Sequence, residues 1–181
     1  MRWIWIDRIV ELDADHCVAV KNVSLAEEHL HDHFSATADH PAIPVMPASL
    51  IVEGMAQTAG IMVGHARRFA EKVILAKIGR AEFELDVRPG QTLIYSAVME
   101  RLDESGASTS GRVEVVDSFP ADAEPRPVGK IELMFSHVDQ NMRGLAFPDH
   151  NFVFTAQFMD LLRNSGFAEA IPPGWSPALP G

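Results

Sequence analysis

The sequence predicts an α+β domain in which antiparallel strands surround one long helix. Runs of β-branched and aromatic residues separated by turn compositions predict several strands. One apolar stretch, residues 48–71, is long enough for several helical turns. The chain has 181 residues, of which 47% are hydrophobic, so it can bury a substantial core within a single domain.

The first elements in the chain form a predicted hairpin followed by the helix. "RWIWIDRIVEL" and "HCVAVKNVS" have strand composition, and "DADH" between them is typical of a turn. A loop containing Pro41, Pro44 and Pro47 comes next. Proline is tolerated at the start of a helix, so Pro47 marks the start of the predicted helix, the only long one expected in the core.

Four more strands are predicted after the helix. They are the runs "VILAKIGRAEFELDV", "QTLIYSAVMERL", "STSGRVEVVD" and "PVGKIELMFSHVD", divided by loop compositions. Residues 1–139 therefore form the main domain. Residues 140–181 form a C-terminal extension, in which 154–167 predict a short helix before a proline-rich end. Its apolar stripe is expected to pack on the same subunit and comprises Phe154, Phe158, Leu161 and Leu162.

Charge and composition exclude several classes of partner. The net charge is -10 and the positive residues are scattered, which argues against binding to nucleic acid or to an anionic membrane. The N-terminal apolar run is interrupted by Asp7 and Arg8 and is too short for a signal peptide or a membrane span. Cys17 is the single cysteine, and an inert buried thiol is expected. These features predict a cytoplasmic protein.

The predicted helix carries one polar stripe on an otherwise apolar surface. Ser49, Glu53 and Gln57 are each four residues apart and therefore share a face. A carboxylate in such a helix needs a hydrogen-bonding partner, a proton or a cavity. Glu53 is thus a candidate functional residue. The structural alternative is an ion pair with an arginine or access to solvent, and the helix alone favours that alternative.

Four histidines precede the helix. His29, His31 and His33 alternate at the spacing of a strand, so they could project from one side, and His40 follows in the proline-rich loop. A zinc site is one interpretation, but no cysteine contributes and the ligands are too close in sequence for a typical catalytic site. Solvated loop histidines are the favoured interpretation, and no metal is predicted.

A family resemblance extends over most of the chain. "KNVSLAEEHLHDHFS" followed by "PVMPASLIVEGMAQ" resembles the signature of the 3-hydroxyacyl-acyl carrier protein dehydratases, which are hot-dog-fold enzymes of fatty acid synthesis. The likeness continues through "AKIGRAEFELDVRPGQTLIY" and "GKIELMFSHVD". It covers about residues 3–139 and leaves the C-terminal extension unmatched.

The resemblance implies a curved antiparallel sheet wrapped around the long helix, no cofactor, and a homodimer with shared active sites. Whether dimers assemble further, for example as a trimer of dimers, is open. The implied substrate is an acyl carrier protein or coenzyme A thioester. His33 would remove the α-proton, and Glu53 of the other subunit would protonate the departing hydroxyl. The N–H of Ala48 would polarise the carbonyl. The further candidate substrate-binding residues are Gln57, which would orient the site, and Phe34. Ser49 replaces an apolar residue of the family pattern, and its hydroxyl could cap the helix or contact substrate.

The family's His-Phe pair can be aligned in two ways. Counting forward from "KNVS" selects His33-Phe34 and places an insertion in the following loop, where insertions are best tolerated. Counting back from "PVMP" selects Asp39 or, with one deletion, His40. The structural alternative for His40 is that it closes the longer loop. We favour His33 as the base.

The chain departs from the family pattern at several positions. Ser35-Ala36 replace Pro-Gly, Ala48 replaces the glycine at the helix start, and Glu84-Leu85 replace a basic pair. Two alternatives therefore accompany the dehydratase hypothesis. One is a dehydratase or hydratase acting on coenzyme A esters, and the other is a non-catalytic hot-dog protein that binds an acyl chain.

Overall fold

The computed structural model describes residues 4–119, 123–138 and 151–175 and contains a six-stranded antiparallel sheet around one long helix. The strand order is β1-β2-β4-β5-β6-β3. The strands are β1 Arg8–Leu12, β2 His16–Asn22, β3 Val73–Phe83, β4 Gln91–Leu102, β5 Gly106–Asp117 and β6 Arg126–His137. The helices are α1 Glu28–Asp32, α2 Ala48–Ala66 and α3 Ala156–Ser165, followed by a 3₁₀ turn at Ala168–Ala170. The predicted α+β class is confirmed.

The N-terminal hairpin forms, but its first strand is shorter than predicted. β1 begins at Arg8, although the strand-like composition extends upstream of it. Trp5 does not join the sheet there, because its backbone N–H donates to the side-chain oxygen of Gln57 at 2.8 Å. The N-terminal segment is therefore tied to the central helix.

The central helix α2 is the core of the domain. Its buried residues face the sheet on most sides, including Ile51, Met55, Ala59 and Met62. The helix ends at Ala66, before the end of the predicted stretch, because Arg68 and Phe69 adopt left-handed backbone conformations with φ of 53° and 55°.

None of the helices in the described part of the chain combines the length and apolar character needed to span a membrane.

The C-terminal extension packs on the body of the same subunit. Met159, Leu161 and Leu162 of α3 are buried, and Phe154 contacts Phe69 edge to face at a centroid distance of 4.9 Å. The hydroxyl of Ser165 accepts a hydrogen bond from the N–H of Ile9 in the edge strand β1. The predicted packing of this segment is confirmed. Most of the proline-rich end lies outside the described residues.

Two buried titratable groups of the body are the Cys17 thiol and the His137 imidazole. Burial raises the pKa of the Cys17 thiol to about 12, so the thiol stays protonated, as the sequence predicts for an inert cysteine. His137, which is fully buried, lies 2.7 Å from a carboxylate oxygen of Glu71. α2 ends at Ala66, about 20 Å along the helix from Glu53 at 1.5 Å per residue, and Glu71 follows that end.

Close packing of α2 on β4 requires a glycine at position 54. A Cβ atom added to Gly54 would lie 2.3 Å from Cζ of Tyr95, whose side chain is fully buried. We expect Gly54→Ala to lower the free energy of unfolding by about 1–3 kcal/mol, because the buried ring has no open space to move into. Urea denaturation measures this change.

The matched control is Gly60→Ala on the same helix. A Cβ there would meet only Phe135 at 3.6 Å, which is an ordinary van der Waals contact. Alanine's helix propensity should leave this variant neutral or more stable by up to about 1 kcal/mol. Equal destabilisation of the two variants would contradict the proposed role of the Gly54–Tyr95 contact.

Candidate active site

Glu53 and Gln57 of α2 form a hydrogen-bonded pair. Nε2 of Gln57 donates to Oε1 of Glu53 at 2.8 Å, as their spacing of four residues on one helix face permits. Gln57 is 7% exposed, and Glu53 is half-buried. Within residues 4–119, 123–138 and 151–175, no arginine or lysine forms an ion pair with Glu53. The structural alternative of an arginine partner is therefore not observed.

The orientation of the Gln57 amide is fixed by the backbone of Trp5. The Trp5 N–H can only donate, so it must meet the amide oxygen of Gln57, as it does at 2.8 Å. The NH₂ group consequently points to Glu53. One carboxylate oxygen of Glu53 is held in this way.

The N-terminal end of α2 lies at the surface. Pro47 is the N-cap residue, and Ala48 and Ser49 are exposed. The N–H groups of Leu50 and Ile51 donate to the Pro47 carbonyl, whereas those of Ala48 and Ser49 precede the first intrahelical donors. Ala48 has no left-handed φ, so the backbone there does not require the glycine of the family pattern.

The histidine segment is a short helix, and the strand spacing expected for it is wrong. α1 spans Glu28–Asp32, so His29, His31 and His33 do not project from one side of a strand. The helix forms because Leu30 is buried at 1% exposure and fixes the segment against the core. His29 is half-buried, and His31 is exposed.

His33 and Phe34 lie at the C-terminal end of α1. His33 is the C-cap residue, with its N–H donating to the carbonyl of His29 at 3.2 Å, and its side chain is exposed. The rings of His33 and Phe34 make an edge-to-face contact with centroids 4.5 Å apart. Phe34 is 47% exposed in the single chain.

The loop between the histidine segment and α2 is closed on itself. The Ile43 N–H donates to the Phe34 carbonyl at 3.0 Å, which closes the base of the loop. Inside it, Thr37 and His40 exchange two hydrogen bonds, in which the His40 N–H donates to the Thr37 hydroxyl and the Thr37 N–H donates to the His40 carbonyl. The backbone of His40 thus helps to close the longer loop, which is the structural role expected for His40 if it is not the base.

A metal site is not assembled from these histidines. Among the described residues, no three or more histidine, cysteine, aspartate or glutamate side chains converge in a way that could hold a metal ion. The single cysteine is buried, and His33 and His40 project from an exposed segment.

A buried cluster beside this site was not predicted from the sequence. Trp5, Lys21, Glu27 and His29, which we call the Trp5 cluster, join the N-terminal segment, β2 and α1. Lys21 is 7% exposed although lysine is rarely buried. The available signal was the place of Lys21 in the alternating pattern of β2, where it shares a face with the buried residues Cys17 and Ala19.

Comparisons with known proteins identify a family for most of the chain. The family model of the FabA-like domain matches residues 3–117. A 3-hydroxyacyl-[acyl-carrier-protein] dehydratase FabZ of Fusobacterium nucleatum is 36% identical over 124 residues, covering 67% of this chain and 82% of that protein.

Solved structures share the fold at low sequence identity. The dehydratase heterocomplex ApeI:P from Xenorhabdus doucetiae matches with a TM-score of 0.53 and 15% identity, covering 77% of this chain and 90% of that one. An acyl-CoA hydrolase mutant from Staphylococcus aureus matches with a TM-score of 0.52 and 17% identity, covering 69% and 67%. Since one fold supports both chemistries, the site residues must decide between them.

Proposed function

Because the chain belongs to the FabA-like domain family, we propose that it dehydrates (3R)-hydroxyacyl thioesters to trans-2-enoyl thioesters in fatty acid or related lipid synthesis. The observation that carries the proposal is the Glu53–Gln57 pair on the buried helix. It lies in the stretch "EGMAQ", which resembles the family's Glu-Ala-Met-Ala-Gln motif. The FabZ relative supports the same reaction class.

The proposed mechanism assigns a role to each residue. Neutral His33 takes the proton from the carbon next to the thioester carbonyl. The C3–O bond then breaks, and Glu53 gives its proton to the departing hydroxyl, which leaves as water. The N–H of Ala48, at the N-terminal end of α2, donates to the carbonyl oxygen as negative charge develops. No electrons are exchanged with a cofactor, and none is proposed.

Three further residues are proposed to position the reactants. Gln57 holds one oxygen of Glu53, so the other faces the hydroxyl that leaves. Ser49 lies one residue from the proposed carbonyl donor and is exposed, which suits contact with substrate. Phe34 packs against the His33 ring and limits its rotation.

The loop geometry supports His33 over His40 as the base. His33 and Phe34 precede the loop closed by the Phe34–Ile43 hydrogen bond, so the insertion follows the His-Phe pair without disturbing it. His40 lies inside that insertion. The upstream elements β2 and α1 then keep the order of the family pattern without a gap.

A homodimer with shared sites is part of the proposal. β3 is the last strand of the sheet, and its free edge carries Leu75 and Ile78, which are 38% and 48% exposed. An eleven-residue edge strand of this kind is a template for pairing with another chain. His33 and Ala48 are also exposed in the single chain, so a second subunit would enclose them. The proposed location is the cytoplasm.

The thioester carrier is proposed to be acyl carrier protein, with coenzyme A as the second candidate. Acyl carrier protein is acidic, so docking needs free basic side chains. Lys72 is 7% exposed, Arg80 bonds Glu82 at 2.6 Å, and Arg88 lies 3.9 Å from Asp86. Arg68 and Lys77 are exposed and are the candidate docking cations. Glu84, in place of the family's basic pair, favours the coenzyme A alternative.

The test is the reverse reaction with crotonyl thioesters, followed by loss of enoyl absorbance. We expect hydration with both carriers and a higher kcat/KM with the acyl carrier protein ester. A higher kcat/KM with the coenzyme A ester would assign the second carrier. No turnover of either ester would contradict the enzymatic proposal and leave a non-catalytic acyl-binding protein.

A further inference from the structure

Lys21 is a buried cation that the proposed mechanism does not use. Its side chain is only 8% exposed, and its ammonium group donates to the carbonyl of Asn22 at 2.8 Å and to Oε1 of Glu27 at 2.6 Å. A carboxylate oxygen of Asp7 lies 3.7 Å away. Burying an ammonium group costs free energy unless these partners compensate, so the arrangement holds all of them in fixed places.

Glu27 transmits this constraint to the histidine segment. It is the N-cap residue of α1, and its carbonyl accepts the N–H of Leu30 at 3.0 Å. Its second carboxylate oxygen accepts the N–H of Ser24. The start of α1 is therefore fixed by the Lys21–Glu27 pair. The end of the same short helix is His33, five residues after Glu28.

Trp5 connects the same cation to the helix that carries Glu53. Lys21 Nζ lies 4.9 Å from the centroid of the Trp5 ring, a cation–π distance. The Trp5 ring also contacts the ring of His29 of α1, at a centroid distance of 5.3 Å. The backbone N–H of Trp5 orients Gln57. The Trp5 cluster thus joins α1 and the polar stripe of α2 in one subunit.

We propose that Lys21 is a positioning residue for the proposed base: by binding Glu27 and the Trp5 ring, its buried ammonium group holds the segment that ends in His33. This inference rests on the proposed function. Lys21 does not touch substrate and transfers no proton. A displacement of the base by about 1 Å can lower a rate by about a hundredfold, so loss of this anchor should reduce turnover.

The test compares Lys21→Met, Lys21→Arg and Glu27→Gln in the full-length protein. Methionine keeps an unbranched chain but removes the charge, and we expect kcat to fall about tenfold or more with KM little changed. Arginine keeps the cation and should restore most of the rate. Glu27→Gln weakens the same ion pair from its partly exposed partner and should also lower kcat. This variant keeps the test available if Lys21→Met fails to fold.

Glu71→Gln is the matched control for stability. This substitution weakens the contact between the Glu71 carboxylate and the buried His137 side chain. That contact lies beyond the opposite end of α2. It should destabilise the protein without the selective fall in kcat. If Glu71→Gln lowers kcat as much as Lys21→Met does, Lys21 acts only through stability, and the inference is overturned. A wild-type kcat in both Lys21→Met and Glu27→Gln overturns it as well.

Amide hydrogen exchange provides a readout that does not depend on activity. In Lys21→Met, exchange should accelerate in residues 28–34 and stay unchanged in the strands β4 and β5. Unchanged exchange in residues 28–34 contradicts the positioning role. If the wild-type protein hydrates neither thioester, the proposed function fails, and the exchange pattern alone decides whether Lys21 holds this segment.

Discussion

Glu53→Gln is expected to lower kcat for crotonyl thioester hydration by about 10²–10⁴-fold, because an amide cannot deliver or take up the proton that the proposed mechanism requires. The protein should still fold, since the new side chain keeps the shape of glutamate and an oxygen that can accept from Gln57. We expect the free energy of unfolding to change by less than about 1 kcal/mol. Steady-state kinetics and urea denaturation measure the two quantities.

Glu132→Gln is a suitable control for this substitution. Glu132 lies on the exposed face of β6, with one carboxylate oxygen 4.0 Å from Arg80. The same chemical change at this surface position should leave kcat within about twofold of wild type, because exposed ion pairs contribute little. A wild-type rate for Glu53→Gln would remove Glu53 from the catalytic role.

His33→Ala should abolish turnover to a similar extent, about 10²–10⁴-fold in kcat, through loss of the base that takes the α-proton. The exposure of the His33 side chain implies little cost in stability. The measurement is the same hydration assay, with circular dichroism as the check on folding.

His40→Ala distinguishes the two alignments of the family's His-Phe pair. Only backbone atoms of His40 take part in the hydrogen bonds with Thr37, so alanine can preserve the loop. We expect near-wild-type kcat. The reverse pattern, with His40→Ala inactive and His33→Ala active, would show that the insertion precedes the catalytic histidine and would replace the assignment.

Local sequence patterns predicted the central helix and the later strands well. β4 spans Gln91–Leu102, the same residues as the predicted run, because glycine and charged residues interrupt the apolar pattern on both sides. The polar stripe of α2 was also predictable, since helical spacing alone places Glu53 beside Gln57. These are short-range properties of the chain.

Long-range contacts explain what the sequence patterns did not predict. The histidine segment has alternating composition, yet it folds as a helix because burial of Leu30 and the Lys21–Glu27 pair override that local pattern. The N-terminal segment has strand composition, but Trp5 donates to Gln57, which is 52 residues away in sequence. The role of the Trp5 cluster depends on side chains brought together only by the fold.

The central claim is that two subunits share each active site, with His33 as base and Glu53 as acid. Mixing two inactive variants tests this claim most directly. His33→Ala and Glu53→Gln proteins are each assayed alone, then unfolded together, refolded and assayed again. Random pairing makes half of the dimers mixed, and each mixed dimer has one intact site. The account predicts recovery of about a quarter of the wild-type rate. A mixture as inactive as its two components would contradict a shared site.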